Sequence, residues 1–142
     1  MASRLQTEFK TAMKKYDVEL ENDNIYHWKL AINGPADTVY ADGAFLLHIK
    51  ISKEYPLAKP EFTMITKIYH PNITSNGAMC LSTLDDWKAT TSISQVLIEL
   101  EEILRSPNID NPLVPIIANQ YKTDRTKFDL IAKEYTKKYA MP

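Results

Sequence analysis

The stretch Ile68–Cys80, IYHPNITSNGAMC, leads from a His-Pro-Asn turn through a polar, glycine-containing loop into the only cysteine of the 142-residue chain. Neither helical nor strand periodicity holds for long between Ile65 and Ser92, and an irregular stretch of that length inside a compact domain is usually functional when it is ordered. By its own residue types, the stretch is a tight turn beside a thiol. Cys80 is therefore either a small buried side chain or a nucleophile that its neighbours position.

Upstream of this stretch, the hydrophobic pattern changes from a helical period to a strand period. An N-terminal amphipathic helix is predicted by apolar residues at intervals of three and four, namely Leu5, Phe9, Ala12, Met13 and Tyr16. Alternating apolar residues predict strands, a short one near Val18–Leu20 and longer ones at Ile25–Ile32, Ala44–Ile51 and Glu61–Thr66. Prolines and glycines separate these runs, so we expect a four-stranded antiparallel meander.

Downstream of the stretch, the helical period returns. Ser92 can cap a helix, Gln95 can complete a capping box three residues later, and the helix should end before Pro107. Its apolar stripe consists of Ile93, Val96, Leu97, Leu100, Ile103 and Leu104. A shorter helix is predicted from Pro115 to Tyr121. The stripe of a last helix consists of Phe128, Ile131, Ala132, Tyr135 and Tyr139. This order predicts an α+β fold, with residues 1–142 forming one domain.

The composition indicates a globular protein without a membrane span or a nucleic-acid-binding surface. Hydrophobic residues make up 44% of the chain and charged residues 25%, and the net charge is -1. No apolar run is long enough to cross a bilayer, and this charge offers no basic field for nucleic acid. One cysteine cannot form an internal disulfide, and the N-terminus lacks the pattern of a secretory signal. We therefore expect a reducing compartment, the cytoplasm or the nucleus.

Cys80 lacks the neighbours that usually activate a thiol. No Lys, Arg or His lies within several residues of it, and Asp85 and Asp86 would disfavour a thiolate if they were close. A Cys-His hydrolase stays open, because the three histidines of the chain could approach Cys80 in space. Their scattered positions offer no zinc-ligand spacing. A functional interpretation of the turn is that it aims the Asn72 amide at a carbonyl oxygen attached to Cys80, as an oxyanion donor.

The stretch resembles the active site of the ubiquitin-conjugating enzymes, in which the asparagine of a His-Pro-Asn motif stands eight residues ahead of the catalytic cysteine, as Asn72 does ahead of Cys80. The similarity extends from the helix containing Arg4 to Met141. It includes IYHPNI, SNG, TSIS, DNPLVP, YKTDR and KEYTKKYAM, and it is greatest to the small, promiscuous members that consist of the catalytic domain alone. The resemblance implies their fold, with an N-terminal helix, the meander, a central helix and two C-terminal helices.

The resemblance also implies an acyltransferase whose nucleophile is Cys80. Ubiquitin would pass from the activating enzyme to Cys80 as a thioester, which a substrate lysine or a ligase cysteine then attacks. Asn72 would support the attack by lysine, either as an oxyanion donor or by ordering the adjacent loop, while His70 and Pro71 would hold the turn. The residues implied to face donor ubiquitin on the central helix are Gln95, Ile98 and Glu102. By residue type alone, Gln95 is a helix cap and the glutamate belongs to a solvated face.

Two positions near the site depart from the family pattern. Asn111 and Ser82 each stand where close relatives carry an acidic residue, so the resemblance implies that Asp85, Asp86 or Asp110 has to compensate for the missing acid at Ser82. Asn111 can orient an incoming lysine but cannot accept its proton. We therefore predict that discharge to lysine is slower, or shifted to higher pH, than in a close relative.

A ligase-docking surface is implied on two loops and on the first helix. Leu57 would be the apolar anchor of the first loop, in which Lys59 replaces a usual proline. The second loop has Trp-Lys-Ala at 87–89 where Trp-Ser-Pro is common, so selective binding to RING-type ligases is predicted. The residues assigned to docking are Arg4, Leu57, Lys59, Lys88, Ala89 and Thr90.

The partners implied by the resemblance are ubiquitin, the ubiquitin-activating enzyme, RING- or HECT-type ligases and protein substrates. The chain is expected to act as a monomer without a cofactor or metal of its own, because ATP is consumed by the activating enzyme. Two alternatives stay open. The same fold could act as a binding cofactor for another conjugating enzyme, although inactive relatives lack the cysteine, or the same groups could conjugate a ubiquitin-like modifier.

Overall fold

The computed structural model describes residues 2–141. The elements are α1 (Ala2–Met13), β1 (Asp17–Glu21), β2 (Asn24–Asn33), β3 (Ala44–Lys50), β4 (Glu61–Met64), α2 (Ser82–Asp85), α3 (Ile93–Arg105), α4 (Pro115–Thr123) and α5 (Arg125–Tyr139). This order confirms the α+β architecture predicted from the sequence. Among the described residues, no helix combines the length and the apolar character needed to cross a membrane.

The four strands form one antiparallel meander in the order β1-β2-β3-β4, as the alternating pattern predicts. One row across this sheet pairs Leu20 with Trp28, Trp28 with Ile49, and Ile49 with Phe62. Because successive side chains of a strand point to opposite faces, this row and its apolar neighbours face inward. One buried cluster joins this inner face to the apolar sides of α1, α3 and α5.

The central helix α3 has the boundaries and the buried face that the sequence predicts. Gln95 N–H donates to the Ser92 hydroxyl oxygen at 3.2 Å, and Ser92 N–H donates to Gln95 Oε1 at 2.7 Å, which completes the capping box. The helix ends at Arg105, ahead of Pro107. Its buried residues are Ile93, Val96, Leu97, Leu100, Ile103 and Leu104, the predicted stripe.

The sequence prediction is wrong at the ends of two helices. Met13 is the last residue of α1 and is 57% exposed, and Tyr16 lies beyond the helix with its hydroxyl group bonded to Glu101. Tyr139 lies in α5 as predicted, but it is also exposed. The one-turn helix α2 is not predicted at all, because four residues are too few to show a period.

Candidate active site

His70 is completely buried and holds the turn with both ring nitrogens. Nε2 lies 2.7 Å from the carbonyl oxygen of Ile103 in the last turn of α3, and Nδ1 accepts a hydrogen bond from Asn72 N–H at 2.9 Å. Because a carbonyl only accepts and an N–H only donates, Nε2 carries the ring proton. Burial lowers the pKa of His70 to about 4. The ring is therefore a neutral bridge between α3 and the turn at neutral pH.

Pro71 and Asn72 hold the α3–α4 loop, which consists of residues 106–114. Asn72 Nδ2 donates to the carbonyl oxygen of Asn108 at 2.8 Å, and Asn72 Oδ1 accepts from Asn108 N–H at 2.8 Å. The Pro71 carbonyl oxygen accepts from the N–H groups of Leu113 and Val114, each at 3.0 Å. The loop is therefore held near both ends. The Asn72 side chain is engaged with this loop, which favours a role in ordering it over a direct role as an oxyanion donor.

Cys80 is partly exposed at the end of the stretch Ile68–Cys80. Its N–H donates to the carbonyl oxygen of Asn72 at 3.1 Å, so the thiol-bearing residue is joined directly to the turn. Burial, followed by the negative charges of Asp85 and Glu99, raises the pKa of the Cys80 thiol. The sequence predicts the effect of Asp85 but not that of Glu99.

Gly77 allows the loop between Asn72 and Cys80 to lie against the end of β4. It adopts a φ of +89°, and a Cβ atom there would lie 2.2 Å from the carbonyl oxygen of Met64. Met64 N–H in turn donates to the Gly77 carbonyl oxygen at 2.9 Å. Both the conformation and the close approach require glycine at this position.

Glu99 on α3 binds the segment that follows Cys80. Its Oε2 accepts from the N–H and the hydroxyl group of Ser82 at 2.8 and 2.7 Å, and its Oε1 accepts from those of Thr83 at 2.9 and 2.7 Å. Partial burial alone would raise the pKa of Glu99, but the hydrogen bonds from Thr83 and then Ser82 outweigh it and lower this pKa. Sequence reasoning missed Glu99 because its partners lie 16 and 17 residues away, with no pattern that links them.

Among the described residues, no histidine is placed to activate Cys80. His70 uses both ring nitrogens elsewhere. His27 and His48 lie on the outer face of the sheet, where their rings are 5.6 Å apart and His48 Nε2 is 3.2 Å from Glu21 Oε2. A Cys-His hydrolase, which needs a base bonded to its nucleophile, finds no support. Residues 2–141 contain no group of three or more His, Cys, Asp or Glu side chains that could hold a metal ion.

Arg4 connects α1 to the α2–α3 loop, which consists of residues 86–92. Its Nη1 donates to the Ala89 carbonyl oxygen at 2.6 Å and its Nη2 to the Thr91 carbonyl oxygen at 2.8 Å. Its Nε donates to Glu8 Oε2 at 3.0 Å, while Glu8 Oε1 accepts from Ile93 N–H at 2.8 Å. The predicted docking residue Arg4 thus fixes the shape of the second docking loop.

The two predicted docking loops meet at Trp87. Trp87 Nε1 donates to the Pro56 carbonyl oxygen at 2.8 Å, and the rings of Tyr55 and Trp87 lie 5.7 Å apart. Leu57, next to Pro56, is 82% exposed. The other docking residues on these loops are also exposed, namely Lys59, Lys88, Ala89 and Thr90.

The three residues predicted to face donor ubiquitin share one exposed side of α3. Gln95, Ile98 and Glu102 are exposed at intervals of three and four residues, and Ile98 is 47% exposed. Gln95 also completes the capping box, so its two predicted roles are compatible. Asn111 lies exposed in the α3–α4 loop.

The chain is similar to ubiquitin-conjugating enzymes in sequence and in structure. A family model described as "Ubiquitin-conjugating enzyme" matches residues 3–136. The E2 domain of a Toxoplasma gondii ubiquitin-conjugating enzyme is 30% identical with a TM-score of 0.91, and the match covers 98% of each chain. A Plasmodium yoelii protein described as a ubiquitin-conjugating enzyme is 33% identical with a TM-score of 0.91, over 99% of this chain and 96% of that one.

Proposed function

Because the chain belongs to the ubiquitin-conjugating enzyme family, we propose that it accepts ubiquitin as a thioester on Cys80 and passes it to a substrate lysine or a ligase cysteine. In loading, the Cys80 sulfur attacks the carbonyl carbon of the thioester that the activating enzyme carries. A C–S bond to Cys80 forms, and the sulfur of the activating enzyme leaves. In transfer to lysine, the amine nitrogen attacks the new thioester. A C–N bond replaces the C–S bond, the amine proton passes to solvent, and the Cys80 sulfur leaves.

The observation that carries this proposal is the connection from Cys80 to the α3–α4 loop through one residue. The Asn72 carbonyl oxygen accepts from Cys80 N–H at 3.1 Å, while the Asn72 side chain binds both backbone groups of Asn108 at 2.8 Å. A loop held in register with the thioester can orient the attacking lysine. Orientation of the two reactants supplies a large part of the rate in such a transfer.

The raised pKa of the Cys80 thiol is compatible with this function. The acyl group arrives already activated as a thioester, so the site need not stabilise a thiolate permanently. Because the thiolate is the attacking species, loading should become faster as pH rises through neutrality.

We place ligase docking on the surface around Leu57. Its exposed side chain can enter an apolar groove, and the exposed lysines Lys59 and Lys88 add positive charge. Ligases with acidic residues beside such a groove would be favoured by this charge, which is how a docking surface becomes selective. Arg4 supports the same surface by holding the Ala89 and Thr91 carbonyl oxygens.

We infer that the chain works without a cofactor of its own. ATP is consumed by the activating enzyme when it forms the first thioester, and the exposed side of α3 that carries Ile98 receives donor ubiquitin. The chain would act as a monomer in the cytoplasm or the nucleus, where its single thiol stays reduced.

The test is incubation with activating enzyme, ATP and ubiquitin, followed by electrophoresis with and without thiol reductant. The native chain should form an adduct that the reductant removes, and Cys80→Ala should form none. Cys80→Ser should form an adduct that resists reductant, since an oxygen ester is not cleaved by thiols. An adduct that survives in Cys80→Ala would overturn the assignment of the nucleophile.

The same gel separates the alternatives. Replacing ubiquitin and its activating enzyme by those of a ubiquitin-like modifier shows whether the cargo differs. If neither combination gives an adduct, the proposed enzyme activity is wrong.

A further inference from the structure

Glu99 completes the backbone hydrogen bonding of a segment that cannot complete its own. The first N–H groups of a helix have no partner within that helix and are usually bonded by a side chain just before it. Leu81 occupies that position in α2, and its side chain makes no capping hydrogen bond. The N–H groups of Ser82 and Thr83 are bonded to Glu99 instead, from a different element.

This places Cys80 between two independent anchors. On its N-terminal side, Cys80 N–H is bonded to the carbonyl oxygen of Asn72 at 3.1 Å. On its C-terminal side, Leu81 is completely buried, and the next residue, Ser82, is held by Glu99 through two hydrogen bonds. The position of the thiol therefore depends on Glu99 as well as on the turn.

Glu99 also brings a negative charge to the position at which the chain departs from its family. The family resemblance implies an acidic residue where Ser82 stands, and Glu99 Oε2 lies 2.7 Å from the Ser82 hydroxyl oxygen. Among residues 2–141, no carboxylate of Asp85, Asp86 or Asp110 bonds the Ser82 side chain. Glu99 on α3 is thus the carboxylate that bonds the Ser82 side chain.

We propose that Glu99 is a positioning residue for ubiquitin transfer, which fixes Ser82 and Thr83 beside Cys80 and supplies the negative charge that the family resemblance implies two residues after the cysteine. This inference rests on the proposed thioester function. Glu99 acts through the segment that it binds and does not touch the reacting atoms. Its charge also attracts a lysine ammonium group toward the site before that group loses its proton.

The first experiment needs no ubiquitin and measures the rate of Cys80 alkylation by iodoacetamide as a function of pH. Glu99→Gln keeps the size of the side chain but removes its charge. The glutamine amide nitrogen, which cannot accept a hydrogen bond, faces two of the four donors of Ser82 and Thr83. Without the nearby negative charge, the thiolate forms more easily, and alkylation at pH 7 should be about two- to threefold faster. Glu134→Gln, which removes an exposed carboxylate from α5, is the matched control and should leave the profile unchanged.

The second experiment measures discharge of preloaded thioester to free lysine. Glu99→Ser should lower the rate about tenfold, as expected when a positioned group is lost. Ser82→Asp alone should also lower it, because two carboxylates then meet at one site. In the double variant, the acid stands where relatives have it, and the rate should return to within about threefold of the native rate.

These outcomes distinguish Glu99 from a residue that only stabilises the fold. A purely structural role predicts losses that add in the double variant, and that result would overturn the inference. An alkylation profile like that of Glu134→Gln would show that the Glu99 charge does not act on Cys80, which would also overturn it. If no thioester forms in the native chain, the proposed function fails. The alkylation profile still tests whether the Glu99 charge acts on the Cys80 thiol.

Discussion

The turn at residues 70–72 and the α3–α4 loop that it holds differ in burial and in the origin of their hydrogen bonds. His70 and Asn72 are 0% exposed, and their polar atoms are bonded to neutral partners. In the loop, Asn108, Asp110 and Asn111 are exposed. The bonds that connect the loop to the turn come from Asn72 and Pro71. The turn therefore determines the geometry of the loop.

This difference in burial indicates where the chain can tolerate a change of residue. A buried polar residue cannot be replaced without leaving a partner unsatisfied, which costs about 1–3 kcal/mol. An exposed residue can change its charge at little cost to stability. Ser82, Lys88 and Asn111 are the positions at which the sequence is predicted to depart from the family pattern. All three are exposed, whereas the His-Pro-Asn turn is buried. Differences in reactivity between this chain and its relatives should thus arise in the exposed loops.

Breaking the connection between the two regions should have the largest effect on transfer. Asn72→Ser removes both bonds to Asn108, because the shorter side chain cannot reach both backbone groups. Discharge of the thioester to lysine should fall by about two to three orders of magnitude, the cost of losing a positioned group in acyl transfer. Single-turnover discharge assays measure this loss, while loading from the activating enzyme should persist.

The control for this variant is Asn119→Ser, which shortens an exposed asparagine on α4. Equal discharge rates in the two variants would contradict the role of Asn72. Hydrogen exchange separates its two possible roles. If Asn72 orders the loop, the N–H groups of Leu113 and Val114 should exchange faster in Asn72→Ser even before ubiquitin is loaded.

The comparison also indicates what a sequence can predict. The strands and the buried face of α3 follow from periodicity, because burial on one side of an element leaves a repeating pattern. The cap formed by Ser92 and Gln95 follows from residue types three positions apart. These features depend on residues that are close along the chain.

Contacts between distant segments leave no such pattern. Asn72 meets Asn108 across 36 residues, and Ser82 meets Glu99 across 17. Family resemblance points to Asn72 because its motif is kept. Glu99 has no motif, and only the folded structure brings its carboxylate to the segment after Cys80.

Within the buried turn, His70→Gln should have the next largest effect, on stability rather than on transfer. The folded-state pKa of about 4 lies below the value of 6.5 for an unperturbed histidine, so the unfolded state binds more protons between these values. The free energy of unfolding of the native chain should therefore fall by about 2 kcal/mol from pH 7 to pH 5. The free energy of unfolding of His70→Gln should be about 2–3 kcal/mol lower than that of the native chain at pH 7, and it should change much less with pH.

Urea unfolding at several pH values measures both quantities. The matched control is His27→Gln, which removes a histidine from the outer face of the sheet and leaves both His70 bonds intact. It should keep the steep pH dependence. If the free energy of unfolding of His70→Gln depends on pH as steeply as that of the native chain, His70 is not the group whose protonation weakens the fold.

The smallest expected effect lies in the exposed loop. Asn111→Asp adds a carboxylate that can accept a proton from an incoming lysine, which the native amide cannot do. Discharge to lysine at pH 7 should become about two- to threefold faster, and the gain should disappear at high pH, where lysine is already neutral. Asn119→Asp adds the same charge on α4 and should leave the profile unchanged. An identical pH profile in Asn111→Asp and the native chain would mean that the loop only orients lysine, and that its proton leaves directly to solvent.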